Sequence, residues 1–180
     1  MPSRKTMGRL QMRYRALKTG LALAIALPLL AGCSSMGSMS SFGGKQQQVA
    51  ELANIGDYTA DAALAEAKGH FRSGDFGHSA ALYKRVVELS PKNAEGYVGL
   101  GASYDRLRRF DLSDRVYTAL FEITGGTAQY YNNVGYSYML RGNLSAALTN
   151  FRKAQQLDPD NKVVANNIQI LADAAAQSRA

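Results

Sequence analysis

The chain has 180 residues, enough for one ordinary domain, and its formal charge of +7 suggests an acidic partner such as nucleic acid. Six of its 21 basic residues, however, precede position 20, where there is no Asp or Glu, which leaves 15 basic against 14 acidic residues in the rest of the chain. That near-neutral remainder excludes a strongly basic nucleic-acid surface. The single cysteine, Cys33, excludes an internal disulfide framework.

The first 33 residues are organised as an export signal. A basic stretch is followed by an apolar run from Leu21 to Leu30, which is too short for a membrane span of about 20 residues and is typical of a signal peptide. The next residues, Ala31-Gly32-Cys33, complete a sequence that resembles a bacterial lipobox. The resemblance implies that residues 1–32 are removed and that Cys33 carries lipid. The alternatives are an uncleaved signal anchor and a secretory signal with an accidental cysteine.

The anchor also predicts a location. Ser34, directly after the cysteine, resembles the outer-membrane sorting position of enterobacterial lipoproteins, so we expect attachment to the periplasmic face of the outer membrane. Residues 33–57 are rich in Ser, Gly and Gln at their start, and this composition predicts a flexible tether. Within it, residues 49–55 are expected to form a short helix before Gly56.

An internal repeat occupies most of the remaining chain. Three blocks of 34 residues, 60–93, 94–127 and 128–161, align without gaps. The blocks share small residues at the eighth position, aromatic residues at the twenty-fourth, and a closing residue suited to cap the next helix. In block order these are Ala67, Gly101 and Gly135; Tyr83, Tyr117 and Phe151; and Asn93, Thr127 and Asn161.

This pattern resembles the tetratricopeptide repeat (TPR) family. The resemblance implies an all-α domain over residues 58–180, a short right-handed superhelix of three helical hairpins. An apolar stretch over residues 162–176 is expected to form a capping helix, since stacked repeats need their terminal faces covered.

The TPR resemblance also implies a groove that binds a protein segment, lined by the first helix of each hairpin. The groove residues it selects for binding are Lys68, Arg72, Arg106, Asn132, Asn133, Tyr136 and Asn167. Other groove positions include Phe71, Glu95, Val98, Gly99, Asp105 and Gln129. Asn133 and Asn167 are 34 residues apart, and their amides can each donate to and accept from an extended peptide backbone. The alternative is that both are ordinary polar surface residues.

Two other kinds of site are not predicted. Leu64 and Gly99 stand where chaperone-binding TPR proteins carry Lys and Asn, so capture of a chaperone carboxylate is not expected. His70 and His78 are eight residues apart and lack a cysteine or carboxylate cluster at ligand spacing, so no metal site is predicted and His70 is expected to fill core space. Because the chain contains no catalytic constellation or cofactor motif, we predict that it is not an enzyme and needs no cofactor.

The whole pattern resembles the lipoproteins that assemble the tight-adherence (Tad/Flp) pilus, and more distantly the pilotins of type IV pili. This resemblance implies an adaptor whose partner is a secretin or another pilus assembly component, with no nucleic acid or small-molecule substrate. The alternative is a TPR scaffold that recruits peptidoglycan-remodelling enzymes.

Overall fold

The structure, a computed structural model, describes residues 47–177, and this part of the chain contains α-helices and one 3₁₀ turn but no strand. The 3₁₀ turn is Ile55–Asp57, and the helices are α1 (Ala60–Ser73), α2 (Phe76–Leu89), α3 (Ala94–Arg106), α4 (Phe110–Thr124), α5 (Ala128–Leu140), α6 (Leu144–Leu157) and α7 (Lys162–Gln177). Helices α1 to α6 pair as three successive hairpins, and α7 packs on α6. The predicted all-α arrangement of three hairpins and a capping helix is confirmed.

The first helix of each hairpin begins at the first residue of a sequence block, because a capping side chain precedes it. The Asn93 side chain accepts a hydrogen bond from the Gly96 amide at 3.0 Å, and Thr127 accepts one from the Tyr130 amide at 3.1 Å. Each cap satisfies an amide that has no partner within the helix. The second helix of the first hairpin ends two residues before Pro91, whose ring disfavours helical backbone in the preceding residue.

The paired helices approach closely where the eighth block position is glycine. A Cβ atom on Gly101 would lie 2.7 Å from the Tyr117 ring, and one on Gly135 would lie 2.7 Å from the Phe151 ring. The aromatic ring of the second helix therefore fills the space that a side chain on the first would occupy. This contact explains why the two marker positions occur together in the sequence.

The segment before the first hairpin differs from the expected tether. The Gln47 amide donates to the Leu107 carbonyl oxygen at 2.9 Å, and the Ala50 amide donates to the Gly77 carbonyl oxygen at 3.2 Å. Leu52 packs against the apolar cluster of the first two hairpins. The prediction of a flexible tether is therefore wrong for residues 47–57. A 3₁₀ turn, closed by the Asp57 amide donating to the Asn54 carbonyl oxygen at 3.1 Å, replaces the short helix predicted over residues 49–55.

The predicted signal peptide, the predicted lipidation site Cys33 and the predicted tether up to residue 46 lie outside the described residues. Within residues 47–177, no helix combines the length and apolar character that a membrane crossing requires.

Candidate functional site

The first helices of the three hairpins border a cavity of about 450 Å³, which we call the groove. The groove is lined by Phe71, Tyr83, Ala94, Glu95, Val98, Gly99, Ala102 and Gln129. Five of these residues, those at 71, 95, 98, 99 and 129, are groove positions implied by the TPR resemblance. Its lining combines apolar side chains, such as Phe71 and Val98, with the polar side chains of Glu95 and Gln129, a combination that suits a peptide with apolar side chains and a polar backbone.

Tyr83 enters the groove because Gly99 has no side chain. A Cβ atom at Gly99 would lie 2.2 Å from the Tyr83 ring, closer than any real contact. The sequence identifies Tyr83 only as the aromatic residue at the twenty-fourth block position, and that pattern does not predict its contribution to the groove wall. The same contact explains the missing Asn of the chaperone-binding pattern, since the Tyr83 ring already occupies the space which that Asn side chain would need.

One charged residue, Glu95, lines the groove, and basic side chains lie near it. The Lys68 ammonium lies 2.6 Å from the Glu95 carboxylate and joins α1 to α3. Burial raises the pKa of the Tyr83 hydroxyl, with a further increase from Glu95 and an opposing effect of Arg72. Neither Lys68 nor Arg72 lines the groove: Lys68 reaches it through its ion pair with the lining residue Glu95, and Arg72 is exposed in the last turn of α1, next to the lining residue Phe71. Their part in binding a protein segment stays a prediction.

The asparagines are arranged differently from the predicted ladder. The side-chain nitrogen of Asn167 donates to the Asn132 side-chain oxygen at 2.8 Å, and Asn167 is only 7% exposed. The proposal that Asn167 offers its amide to a bound peptide is therefore wrong, because the bond between α5 and α7 uses it. Asn133 remains a candidate: its side-chain nitrogen is enclosed and has no hydrogen-bond partner among residues 47–177.

Two predicted groove residues make contacts within the fold instead of lining the groove. The Arg106 guanidinium lies over the Phe76 ring, 4.2 Å from its centroid. Tyr136 is half-buried and packs against the apolar cluster of the third hairpin and α7. Both contacts tie neighbouring helices together, and neither side chain lines the groove.

Asp105 also lies away from the groove, although its block position predicted otherwise. It is 2% exposed and accepts hydrogen bonds from the Tyr117 hydroxyl at 2.8 Å and the Ser137 hydroxyl at 2.6 Å. Burial raises the pKa of this carboxyl, while hydrogen bonds led by that from Ser137 oppose the increase. Asp105 thus joins the second hairpin to the third.

The two histidines lie side by side near the turn between α1 and α2. His70 and His78 stack with their ring centroids 5.1 Å apart, and Asp75 lies beside both. His70 does not fill the core, since its side chain is 35% exposed. Asp75 lies between the two histidines in the sequence, but spacings of five and three residues across a helix end match no standard ligand pattern, and the turn between α1 and α2 brings the three side chains together.

Comparison with known proteins supports the repeat fold. Residues 128–161 match the tetratricopeptide repeat family model. No curated protein matches the sequence. Similarity to solved structures therefore identifies the fold alone.

Three solved structures illustrate the similarity. The first TPR domain of human RPAP3 has a TM-score of 0.58 at 17% identity, over 67% of this chain and 94% of that one. The second TPR domain of human RPAP3, in complex with an HSP70 peptide, has a TM-score of 0.55 at 18% identity, over 63% and 94%. The Yersinia enterocolitica secretion chaperone SycD, in complex with a peptide of the translocator YopD, has a TM-score of 0.56 at 15% identity, over 67% and 94%. The described helices therefore form a TPR superhelix with a capping helix.

Proposed function

We propose that this protein is a non-enzymatic adaptor that binds a segment of a partner protein in the groove while a lipid on Cys33 holds it at the outer membrane. The observation that carries the proposal is the groove itself, an open cavity of about 450 Å³ between α1, α3 and α5. Two of the similar TPR structures contain bound peptides, from HSP70 and from the translocator YopD.

The groove suggests what kind of segment binds. Phe71, Val98 and the Tyr83 ring provide apolar and aromatic surface for one or two apolar side chains of the partner. The Gln129 side-chain amide borders the groove and can both donate to and accept from the backbone of a bound segment. The partner segment is therefore expected to be extended and apolar at its centre. A terminal carboxylate is not required, since the groove lacks the clamp residues.

The cellular role follows from the sequence resemblance. The lipobox at Leu30-Ala31-Gly32-Cys33 and the resemblance to tight-adherence pilus assembly lipoproteins favour a secretin or another pilus assembly component as the partner. Two lipid chains on Cys33 would anchor the protein stably, whereas one chain binds a membrane only marginally. We expect the adaptor to assist assembly of that envelope machine.

Photocrosslinking in cells tests the groove and identifies the partner. A photoreactive phenylalanine analogue replaces Val98 in the groove or, as the control, exposed Thr149 on α6. We expect one dominant crosslinked protein from position 98 that is absent from position 149. In a binding assay with the purified partner, the Val98→Arg variant should bind at least tenfold more weakly than the unaltered protein, whereas the Thr149→Arg variant should bind equally well. Equal crosslinking at both positions would exclude the groove.

The identity of the crosslinked protein decides between the two envelope roles. A secretin or pilus subunit supports pilus assembly, and deletion should then remove surface pili while cell shape stays normal. A peptidoglycan hydrolase or synthase, with chaining or lysis and intact pili, would instead support the scaffold role. For the anchor, Cys33→Ser should shift the protein from the outer-membrane fraction to the soluble periplasm, and an unchanged distribution would contradict lipidation.

A further inference from the structure

Three metal-ligating side chains converge at the turn between α1 and α2, outside the groove. The His70 Nδ1 atom lies 3.0 Å from Oδ2 of Asp75, and the His78 Nδ1 atom lies 2.7 Å from the same oxygen. One donor atom from each side chain lies within 4.8 Å of the other two. Within residues 47–177, no other His, Cys, Asp and Glu side chains form such a group of three.

The backbone of the turn produces this convergence. Gly74 adopts a left-handed conformation, with φ of 81°, and the following Asp75 amide donates to the His70 carbonyl oxygen at 2.9 Å. The chain therefore folds back over the last turn of α1. Asp75 then begins α2 as its capping residue, with Oδ1 accepting from the His78 amide, which leaves Oδ2 directed at the two imidazoles. The ligand positions are thus set by a hairpin turn and two helix ends.

Hydrogen bonding alone does not satisfy this arrangement. The His70 nitrogen is aligned with the Asp75 carboxylate, but the enclosed His78 Nδ1 has no hydrogen-bond partner despite its short distance to Oδ2. A cation between the three donor atoms would give this nitrogen a partner. Donor atoms around a tetrahedral zinc ion with bonds of about 2.0–2.1 Å stand roughly 3.3 Å apart, so the three donor atoms must move outward. At least one of the two stacked imidazoles must also rotate about its side-chain bonds, so that the plane of each ring contains the ion.

We propose that His70, Asp75 and His78 form a binding site for a divalent transition metal ion, with Zn²⁺ as the ion that fits the ligands best. Two imidazoles and one carboxylate form a ligand set that Zn²⁺ accepts, whereas Mg²⁺ and Ca²⁺ prefer oxygen ligands. The three side chains are between 35% and 41% exposed, so the ion can enter from solvent and keep water at its remaining positions. The bound ion would tie the end of α1 to the start of α2.

The repeat itself shows that the TPR fold does not require these side chains. At the equivalent positions the third hairpin has Tyr138, Asn143 and Ala146. Asn143 caps its helix as Asp75 does, with its side-chain oxygen accepting from the Ala146 amide at 3.1 Å. The substitutions His70→Tyr, Asp75→Asn and His78→Ala therefore install residues that the same fold already accommodates.

The test is a metal titration of the untagged full-length chain in detergent with Cys33 alkylated, which removes the only thiol. Co²⁺ serves as a spectroscopic probe and Zn²⁺ as its competitor, and we expect one equivalent of Co²⁺ to give visible absorption bands that Zn²⁺ abolishes. Each of the three substitutions should weaken Zn²⁺ binding at least tenfold. The control Asp111→Asn changes an exposed acidic residue in the first turn of α4 and should bind Zn²⁺ like the unaltered protein.

A second measurement does not depend on variants that fold. The chain contains only two histidines, so nuclear magnetic resonance of the imidazole nitrogens reports this site alone. Both Nδ1 signals should shift together and saturate at one equivalent of Zn²⁺. Absence of binding, shifts in only one histidine, or unchanged affinity in all three variants would each overturn the proposal.

Discussion

At the scale of single residues, Asp105 is the least expected feature, a nearly fully buried carboxyl in a small protein. Its two oxygen atoms accept hydrogen bonds from Tyr117 and Ser137, which come from different hairpins. Burial also raises the pKa of the Tyr117 hydroxyl well above its ordinary value, so this group stays a proton donor at neutral pH. Removing the Asp105 carboxylate would leave the Tyr117 and Ser137 hydroxyl groups without their acceptor, and each lost hydrogen bond of this kind costs about 1–3 kcal/mol of stability.

The raised pKa of Asp105 makes a prediction about pH. Because the pKa is higher in the folded than in the unfolded chain, the stability that Asp105 contributes is full below the unfolded pKa and is lost as pH rises through the folded pKa. Asp105→Asn cannot ionise and should not show this loss. Urea denaturation of both proteins between pH 3.5 and about 7 should therefore show the unaltered protein losing stability relative to the variant as pH rises. A difference that is constant over this range would contradict the assignment.

At the scale of helices, the contact of Tyr83 with Gly99 decides how closely α2 and α3 approach. Gly99→Ala should lower the free energy of unfolding by about 1–3 kcal/mol, because the new Cβ atom would overlap the ring. Gly69→Ala on α1 is the matched control, since no atom lies within 4 Å of its added Cβ, and it should raise stability by about 0.5–1 kcal/mol. Urea denaturation measures both, and a stabilising Gly99→Ala would show that the Tyr83 ring moves aside without cost.

Helix positions were predictable to a large extent because the repeat phase and the capping residues act locally. Helices α1, α3 and α5 begin where blocks 60–93, 94–127 and 128–161 begin, and α7 spans Lys162–Gln177 against a predicted 162–176. Residues 47–57 were not predictable in this way. The Gln47 and Ala50 amides bond to carbonyl groups of Leu107 and Gly77, which are remote in sequence, and the local sequence of residues 47–57 does not specify such contacts.

The candidate site was predictable only in outline. Block positions selected five residues that line the groove, because the phase of a helix determines which side chains share a face. They failed for Asn167 and Asp105, whose side chains are buried in bonds to another helix. They also failed for the cluster around Asp75, which depends on how a turn folds back. In each case the error came from a contact between elements, which the periodicity of one helix does not encode.

At the scale of the whole described domain, the apolar core is divided. One cluster belongs to the first two hairpins, and a second cluster, around Met139, Phe151 and Leu171, belongs to the third hairpin and α7. Between the two clusters, residues of α4 and α5 line cavities of about 210 and 420 Å³. Phe121 of α4 also contacts Tyr130 of α5 edge to face. Hydrogen bonds also cross the junction between the second and third hairpins, among them those of Asp105 with Ser137 and of Arg141 with Asp114.

Arg141 makes several of the polar links at this junction. Its guanidinium donates to the Asp114 carboxylate at 2.9 Å and to the Ser113 hydroxyl at 3.4 Å, both on α4, and it lies 4.9 Å from the centroid of the Phe110 ring. Arg141→Ala should therefore weaken the junction by about 2 kcal/mol, a value reduced by the exposure of Asp114. Because repeat proteins are stabilised by contacts between neighbours, the third hairpin and α7 should then open separately from the first two hairpins.

Hydrogen exchange measures this separation amide by amide. In Arg141→Ala, protection in α5, α6 and α7 should fall at least tenfold, while protection in α1, α2 and α3 stays close to that of the unaltered protein. Arg152→Ala, which removes an exposed arginine from α6, is the control and should change neither group. A uniform loss of protection across all helices would mean that the domain unfolds as one unit and that the polar junction does not divide it. A separable third hairpin would also let the groove, which α5 borders through Gln129, adjust its width to the bound segment.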